Sequence, residues 1–275
     1  MITLEQLQAG IVLPIDKPRQ WTSFQVVNKV KAIVRNTYKD TGLKKFKIGH
    51  AGTLDPLATG LLLVCLGKAT KCIPELQDGD KVYTGTMVLG ATTPCYDLER
   101  AVDNYYPYEH ITPALLDEVR QHFVGTVMQV PPMFSAVKIA GQRAYEYART
   151  DDPSVTIQPK PVVIHSFEIT SFRDGNNSLT DHVMHVDNEM EDLPSHHLYD
   201  NPQGHVPNHL PQADFRIRCG KGTYIRSVAR DFGAALGSGA FLASLRREQV
   251  GSYTIDQAIT LDQVADTLLK LKIES

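Results

Sequence analysis

GHAGTLDPLATGLLLVCLG, residues 49–67, joins a loop of three glycines, two threonines and a proline around one acid, Asp55, to a short apolar run bounded by Gly60 and Gly67. The second half reads as a buried strand, because it is uniformly apolar, too short for an ordinary helix and closed by glycine at each end. The first half has two readings. An aspartate before proline commonly caps its own backbone in a turn, which accounts for Asp55 and Pro56 but leaves His50, the threonines and the glycines without a purpose. Alternatively, the glycines let a bulky ligand approach the backbone while Pro56 fixes the segment that carries a reactive carboxylate. The residues alone leave both open. A phosphate cradle fails on spacing: six residues separate Gly60 from Gly67 where that motif has four, and Lys68 is followed by Ala69 rather than Ser or Thr.

Outward from this stretch, GIVLPIDKP reads as a strand stopped by Pro18, and Thr22 or Ser23 caps an amphipathic helix, SFQVVNKVKAIVR. KVYTGTMVLG alternates like a strand. ITPALLDEVRQHFVG has an N-cap threonine, an early proline and a closing glycine like a helix, and PVVIHSFEITSF alternates again. Residues 174–212 lose all periodicity and read as a long loop or partly disordered insertion. ADFRIRCGKG then resumes as a strand, TYIRSVARDFGAAL is helical, and LDQVADTLLKLK is a last amphipathic stretch. Strands and helices in this irregular order predict an α+β fold, a mixed, largely antiparallel sheet flanked by helices and loops.

The 275 residues carry a net charge of -3, which taken whole argues against a nucleic-acid partner. Its distribution argues otherwise. Residues 174–214 hold eight acids and no Lys or Arg; without them 28 basic residues face 23 acids, 31 less those eight. Residues 1–72 have eleven Lys and Arg against four acids, and residues 216–247 have seven against Asp231 alone. Two basic segments are therefore masked by one acidic segment. No apolar run is long enough for a membrane span, and MITLEQLQAGIVL lacks the features of a signal peptide, so the expected location is the cytoplasm. Cys65, Cys72, Cys95 and Cys219 form no CxxC pair and are expected to be reduced.

Six of the ten histidines, His182, His185, His196, His197, His205 and His209, crowd into the acidic segment. With no cysteine among them and no fixed spacing of carboxylates, no working metal site is expected. There is no GxSxG, HExxH or GxGxxG, so hydrolase, zinc-protease and dinucleotide chemistry lack support. KGTYIRS, residues 221–227, sets Lys221 and Arg226 beside Tyr224 at a helix start. It suits a phosphate with a stacked base, or equally a plain helix start with a core tyrosine.

These segments in combination are identified as a resemblance. GHAGTLDPLATGLLLVCLGKATK, with IVLPIDKP before it and KVYTGTMVLG, PPMFSAVKIAGQRAYEYAR and CGKGTYIRSVARDFGAALGSGAFLASLRR after it, resembles the bacterial tRNA pseudouridine synthases of the TruB type. The likeness runs in order from about residue 11 to about residue 250, interrupted only by the acidic segment. It implies the pseudouridine synthase catalytic fold as one domain over residues 1–275, with an insertion at about 174–213. It also implies isomerisation of the uridine at position 55 of the tRNA T loop; the alternative is a non-catalytic tRNA-binding or folding protein on the same scaffold. The implied catalytic residue is Asp55. The implied substrate-binding residues are His50, which helps hold the T loop, and Tyr83, Tyr224, Arg226 and Leu245. Lys17 and Lys138 also align, as structural or RNA-facing positions.

Such an isomerisation breaks the N-glycosidic bond and rejoins C5 to C1′, consuming no external atom, so no cofactor is expected. One carboxylate suffices, as a nucleophile toward sugar or base or as a base for the 2′ proton. Arg226 is expected to pair with Asp55, and Tyr83, Tyr224 and Leu245 to wall the uracil pocket. The implied partner is the T-stem loop of tRNA, with no obligatory protein partner, a monomeric enzyme and no membrane. Two features depart from the family pattern. TTPCYDLER has Cys95 and Arg100 where the family has threonine and glycine, which bears on RNA contacts of that loop. Only about 25 residues follow Gly251, too few for the RNA-binding PUA domain of longer relatives, and the insertion is expected to be a passive surface loop.

Overall fold

The computed structural model describes residues 4–41, 43, 46–135, 138, 139, 142, 143, 147, 157–175, 206, 207 and 209–270. Residues 176–205 and 208 of the insertion, with five of its six histidines, and the side chain of Lys138 lie outside the described residues. The chain divides into two compact units, residues 1–83 with 245–275 and residues 84–244. Strands β4 and β12, placed below, each pass from one unit to the other.

The first unit opens with α1 (Leu4–Ala9), β1 (Ile11–Lys17) and α2 (Ser23–Thr37). Thr22 begins α2: its hydroxyl accepts from Gln25 N at 3.1 Å, and the Gln25 side chain accepts from Thr22 N at 2.7 Å. This reciprocal cap satisfies two of the helix's orphan donors. Val26, Val27, Val30 and Val34, one face at helical spacing, are buried. β2 (Ile48–Ala51) and β3 (Thr59–Leu66) flank the loop that carries Asp55.

β3 is buried on both faces from Gly60 to Leu66 and has neighbours on both edges. β1 runs antiparallel beside all of it, from Ile11 opposite Leu66 to Lys17 opposite Gly60. On the other edge β2 pairs with its second half, and β12 (Ala240–Val250) pairs in parallel with its start, Arg246 opposite Thr59 and Arg247 opposite Gly60. A continuous apolar strand is what such two-sided cover requires. A 3₁₀ turn at Gly67–Cys72 and the short helix α3 (Ile73–Asp78), neither read from the sequence, lead into β4 (Lys81–Leu89). The unit is completed after β12 by β13 (Tyr253–Thr254) and by a last helix at Gln263–Lys270, which packs on α2.

In the second unit β5 (Ala91–Thr92) and β6 (Asn104–Tyr105) form a small ribbon. α4 (Pro113–Gln121) follows its N-cap Thr112. Gly125 does not close that helix; with φ of 105° it opens β7 (Gly125–Gln129) instead. β8 (Lys138–Ile139) and β9 (Gln142–Arg143) pair with each other. β10 (Lys160–Arg173) and β11 (Gln212–Cys219) form a long antiparallel pair, and hydrogen-bonded neighbours run β12, β4, β11, β10, β7.

β4 does not alternate: its two ends are buried and Thr84–Thr86 are half-buried. β10 alternates, but a bulge between Ile164 and Ser166 shifts the inward face from Val162 and Ile164 to Phe167. Phe167 then meets Phe215, Phe232 and Phe123 edge-on at centroid distances of 5.0–6.5 Å. Phe232 lies on α5 (Ile225–Ala235), which begins at Ile225, one residue beyond Tyr224. The result is the expected α+β architecture with a largely antiparallel sheet. Among the described residues no helix is long and apolar enough to cross a membrane.

Candidate active site

In the first unit Asp55 sits half-buried at the start of a turn, its carbonyl accepting from Ala58 N at 3.1 Å with Pro56 between them. The turn reading of the sequence is therefore correct for its backbone. What a turn alone does not explain is how firmly this one is held.

Lys17, at the end of β1, is fully buried and donates to Pro56 O at 3.1 Å, Trp21 O at 2.6 Å and Pro18 O at 2.9 Å. Burial pushes its ammonium down to about 7; Asp55 opposes this, Arg247 adds to it and Asp16 opposes it. Three carbonyl acceptors need three N–H donors, which only the ammonium supplies, so the charged form is the one the site is built around. Of the sequence alternatives for Lys17, the structural one holds, because nothing of it reaches solvent.

Gln20 N donates to Pro56 O at 2.8 Å, with Gln20 itself held at φ of 67°. On the other side of Asp55, buried Ser23 grips both backbone groups of Leu54: its hydroxyl accepts from Leu54 N at 2.9 Å and donates to Leu54 O at 3.2 Å.

The two arginines of LRR diverge, as neighbours on a strand must. Arg246 points to solvent, with Nη1 and Nη2 on the two oxygens of Asp16 at 3.1 and 2.8 Å. Arg247, 1% exposed, donates from Nε to Leu61 O at 2.8 Å and from Nη2 to Gly52 O at 3.1 Å. Gly60 has φ of 98°, and a Cβ there would strike Arg247 O and stand 2.8 Å from Arg247 N. This glycine admits the β12 backbone rather than a ligand, which corrects the sequence reading at that position.

His50 lies on β2 opposite Val64, half-buried, and its Nδ1 is buried without a hydrogen-bond partner. Burial pushes the imidazole below its ordinary range, the Gly52 backbone opposes this and Arg247 adds to it. His50 is thereby kept neutral. Tyr83 on β4 is 8% exposed and Leu245 on β12 is half-buried.

In the second unit Arg226, 4% exposed, opens α5. It donates to Cys95 O at 3.1 Å and Phe134 O at 2.8 Å, and its Nε lies 3.7 Å from Asp97 Oδ2. The loop of residues 92–100, in which Cys95 and Arg100 depart from the family pattern, is thus built against Arg226 through Cys95 and Asp97. Asp97 Oδ1 accepts from Glu99 N at 3.0 Å, and Thr93 donates to Asp97 O at 2.7 Å. Cys95 is fully buried with its thiol toward Asp97 O, and burial together with Asp97 pushes that thiol up to about 12, so it stays protonated. Tyr224, half-buried, is tied through its backbone to Gln129, whose side chain accepts from Tyr224 N at 2.8 Å and donates to Tyr224 O at 3.2 Å. The sequence marks Ser23 only as a candidate helix cap and gives Arg247 and Gln129 no role, because each acts on backbone far from it in the chain.

A mixed, largely antiparallel α+β fold with one carboxylate on a tightly held loop defines a class, the pseudouridine synthases, and comparisons agree. A chain of a structure titled "Crystal Structure of a Cbf5-Nop10-Gar1 Complex" superposes with a TM-score of 0.61 at 25% identity, covering 98% of this chain and 57% of that one. A Nop10–Cbf5 complex matches with a TM-score of 0.58 at 23% identity and shows the same fold, over 56% of its length. This chain thus spans little more than half of those structural relatives.

Sequence relatives are matched over nearly their whole length. The tRNA pseudouridine synthase B of Flavobacterium johnsoniae is 46% identical over 97% of this chain and 100% of its own. That of Parabacteroides distasonis is 42% identical over 94% of each. The profile described as "TruB family pseudouridylate synthase (N terminal domain)" matches residues 39–188, and that described as "tRNA pseudouridylate synthase B C-terminal domain" matches 226–274. The chain belongs to the TruB family of pseudouridylate synthases.

Proposed function

We propose that this chain isomerises a uridine of tRNA, position 55 of the T loop, to pseudouridine, with Asp55 as the catalytic carboxylate. The observation that carries the reading is the frame around Asp55. Lys17 and Gln20 hold Pro56 after it, and Ser23 holds Leu54 before it. Positioning of this kind is what converts an ordinary carboxylate into an effective one, since a small displacement from the reacting atoms costs orders of magnitude in rate. The relatives named tRNA pseudouridine synthase B supply the substrate class.

The reaction breaks the N1–C1′ bond, turns the uracil and joins C5 to C1′, with the C5 proton lost and N1 regaining one. The uridine must first leave its stack, at a cost of a few kcal/mol that stacking on Tyr83 offsets. Tyr83, Tyr224 and Leu245 are assigned to wall the uracil and exclude water from the cleaved state. His50, whose imidazole burial disfavours charging, is assigned to the T-loop RNA. Arg226, already fixed by Cys95, Phe134 and Asp97, is assigned to orient Asp55. The two units work as one catalytic domain, as a cytoplasmic monomer that needs neither cofactor nor protein partner. Incubating the purified chain alone with an unmodified T-arm transcript and mapping pseudouridine tests this. Pseudouridine at position 55 alone is expected; absence of any pseudouridine on bare RNA would overturn it.

A further inference from the structure

Arg247 is the largest side chain among those with almost no exposure, and the isomerisation assigns it no part. A guanidinium taken out of water is costly unless its donors are matched. Here the matching partners are two backbone carbonyls at chosen places. Gly52 O lies at the entrance of the loop, directly after β2, and Leu61 O lies just past its exit, inside β3. The residues between them are Thr53 to Gly60, with Asp55 in the middle. Neither carbonyl belongs to the turn that Lys17 and Ser23 hold, so Arg247 supplies an independent constraint on the span of the loop.

The backbone adds to this. Arg247 pairs in parallel with Gly60, and the absence of a Cβ there lets the two chains close up. The same guanidinium stands 3.5 Å from where a Cβ on Gly52 would be, and its charge disfavours protonation of His50 two residues earlier. A hydrophobic residue of similar volume would fill this space at lower desolvation cost; what it would not do is tie the two ends of the loop to each other. We infer that Arg247 is a positioning residue for the isomerisation, a clamp that fixes the Gly52-to-Leu61 span and through it the place of the Asp55 carboxylate. The inference rests on Asp55 being the catalytic group.

Arg247→Lys keeps the charge and has three donors, but they radiate from one nitrogen on a shorter side chain and cannot reproduce the separate Nε and Nη2 contacts to the two carbonyls. Arg247→Ala removes both contacts. With an unmodified T-arm transcript, kcat is expected to fall at least tenfold in Arg247→Lys and further in Arg247→Ala, with KM and RNA affinity within about threefold of wild type. Added guanidinium ion is expected to restore part of the kcat of the alanine variant. Amide hydrogen exchange supplies a second readout that needs no activity. Leu54 and Ala58, whose N–H groups bond within the loop frame, are expected to exchange at least tenfold faster in Arg247→Lys, while Leu62–Val64 in β3 keep their protection.

A folded variant with kcat within threefold of wild type overturns the inference. So does a loss expressed wholly in KM, or a loss of protection spread evenly over β3, which marks ordinary core packing. If wild type itself forms no pseudouridine, the proposed function falls, and the exchange pattern alone decides whether Arg247 clamps the loop.

Discussion

Ser23→Ala isolates one support of the Asp55 loop. The Ser23 side chain is 2% exposed, and its hydroxyl both accepts from Leu54 N and donates to Leu54 O. Alanine removes both bonds and leaves the Leu54 N–H buried without its partner. An unmatched buried donor costs about 1–3 kcal/mol, more than the roughly 1 kcal/mol net value of an ordinary hydrogen bond. The hydroxyl is small, so the void left behind adds little. A total of about 2–3 kcal/mol is therefore expected, which for a chain of roughly this size lowers the melting temperature by about 5–10 °C. Leu54 precedes Asp55 directly, so the same variant is expected to lose about tenfold in pseudouridine formation at saturating RNA, with RNA affinity unchanged. Differential scanning calorimetry and single-turnover rates on a T-arm transcript measure the two effects. A melting temperature within 2 °C of wild type, or a full rate in a destabilised protein, would refute the reasoning that links this hydroxyl to the loop.

Asp214 accepts from Arg173 through both oxygens and from Ser171 and Thr86, and these hydrogen bonds, Arg173 first, hold its carboxyl down to about 2 against an ordinary 3.8. A depressed folded value stabilises the protein above the unfolded value, and that stability is lost as pH falls through the folded one. With Arg173 half exposed, about 1–2 kcal/mol remains after solvent screening. Asp214→Asn is thus expected to lower the urea midpoint at pH 7 and to converge with wild type near pH 2; parallel curves would contradict the assignment. Gly60→Ala puts a methyl against Arg247 backbone at a positive φ. It is expected to cost more than about 3 kcal/mol, read as loss of soluble folded protein or a melting temperature lowered by more than 6 °C. Of the four cysteines only Cys72 is exposed, and burial pushes the Cys65 thiol up to about 11 and that of Cys95 up to about 12. An aromatic disulfide reagent is expected to titrate one thiol in the native protein and four after unfolding; rapid reaction of a second native thiol would contradict the burial.

Local signals were legible in the sequence and pairing was not. Thr22 and Gln25 announce the start of α2 because a capping box is made within four residues. The run LLLVCL announces β3 because cover on both faces leaves no place for polar side chains. By contrast, the bulge that turns Phe167 inward exists only against the partner strand β11, and the helix read to Gly125 ends at Gln121 because a positive-φ glycine suits a strand entrance as well as a helix exit. The same division runs through the site. GTLDP marks Asp55 and Pro56 as a fixed turn. The groups that do the fixing come from elsewhere: Lys17 from 39 positions before Pro56, and Arg247 from 186 positions after Leu61. Arg226 illustrates the limit best, since the Cys95 carbonyl that it holds lies 131 positions away, in a loop read from the sequence only for its departures from the family pattern.

The claim at the centre is that one carboxylate, on a loop held by Lys17, Ser23 and Arg247, carries the isomerisation. Asp55→Asn removes the carboxylate while keeping the size of the side chain and the backbone contacts of the frame; the frame loses only the charge that supports the Lys17 ammonium. The direct measurement is pseudouridine at position 55 of an unmodified T-arm transcript, alongside the affinity of the same variant for that RNA. No detectable product, with affinity within about tenfold of wild type, is expected. Product formed at a rate near wild type would contradict the account.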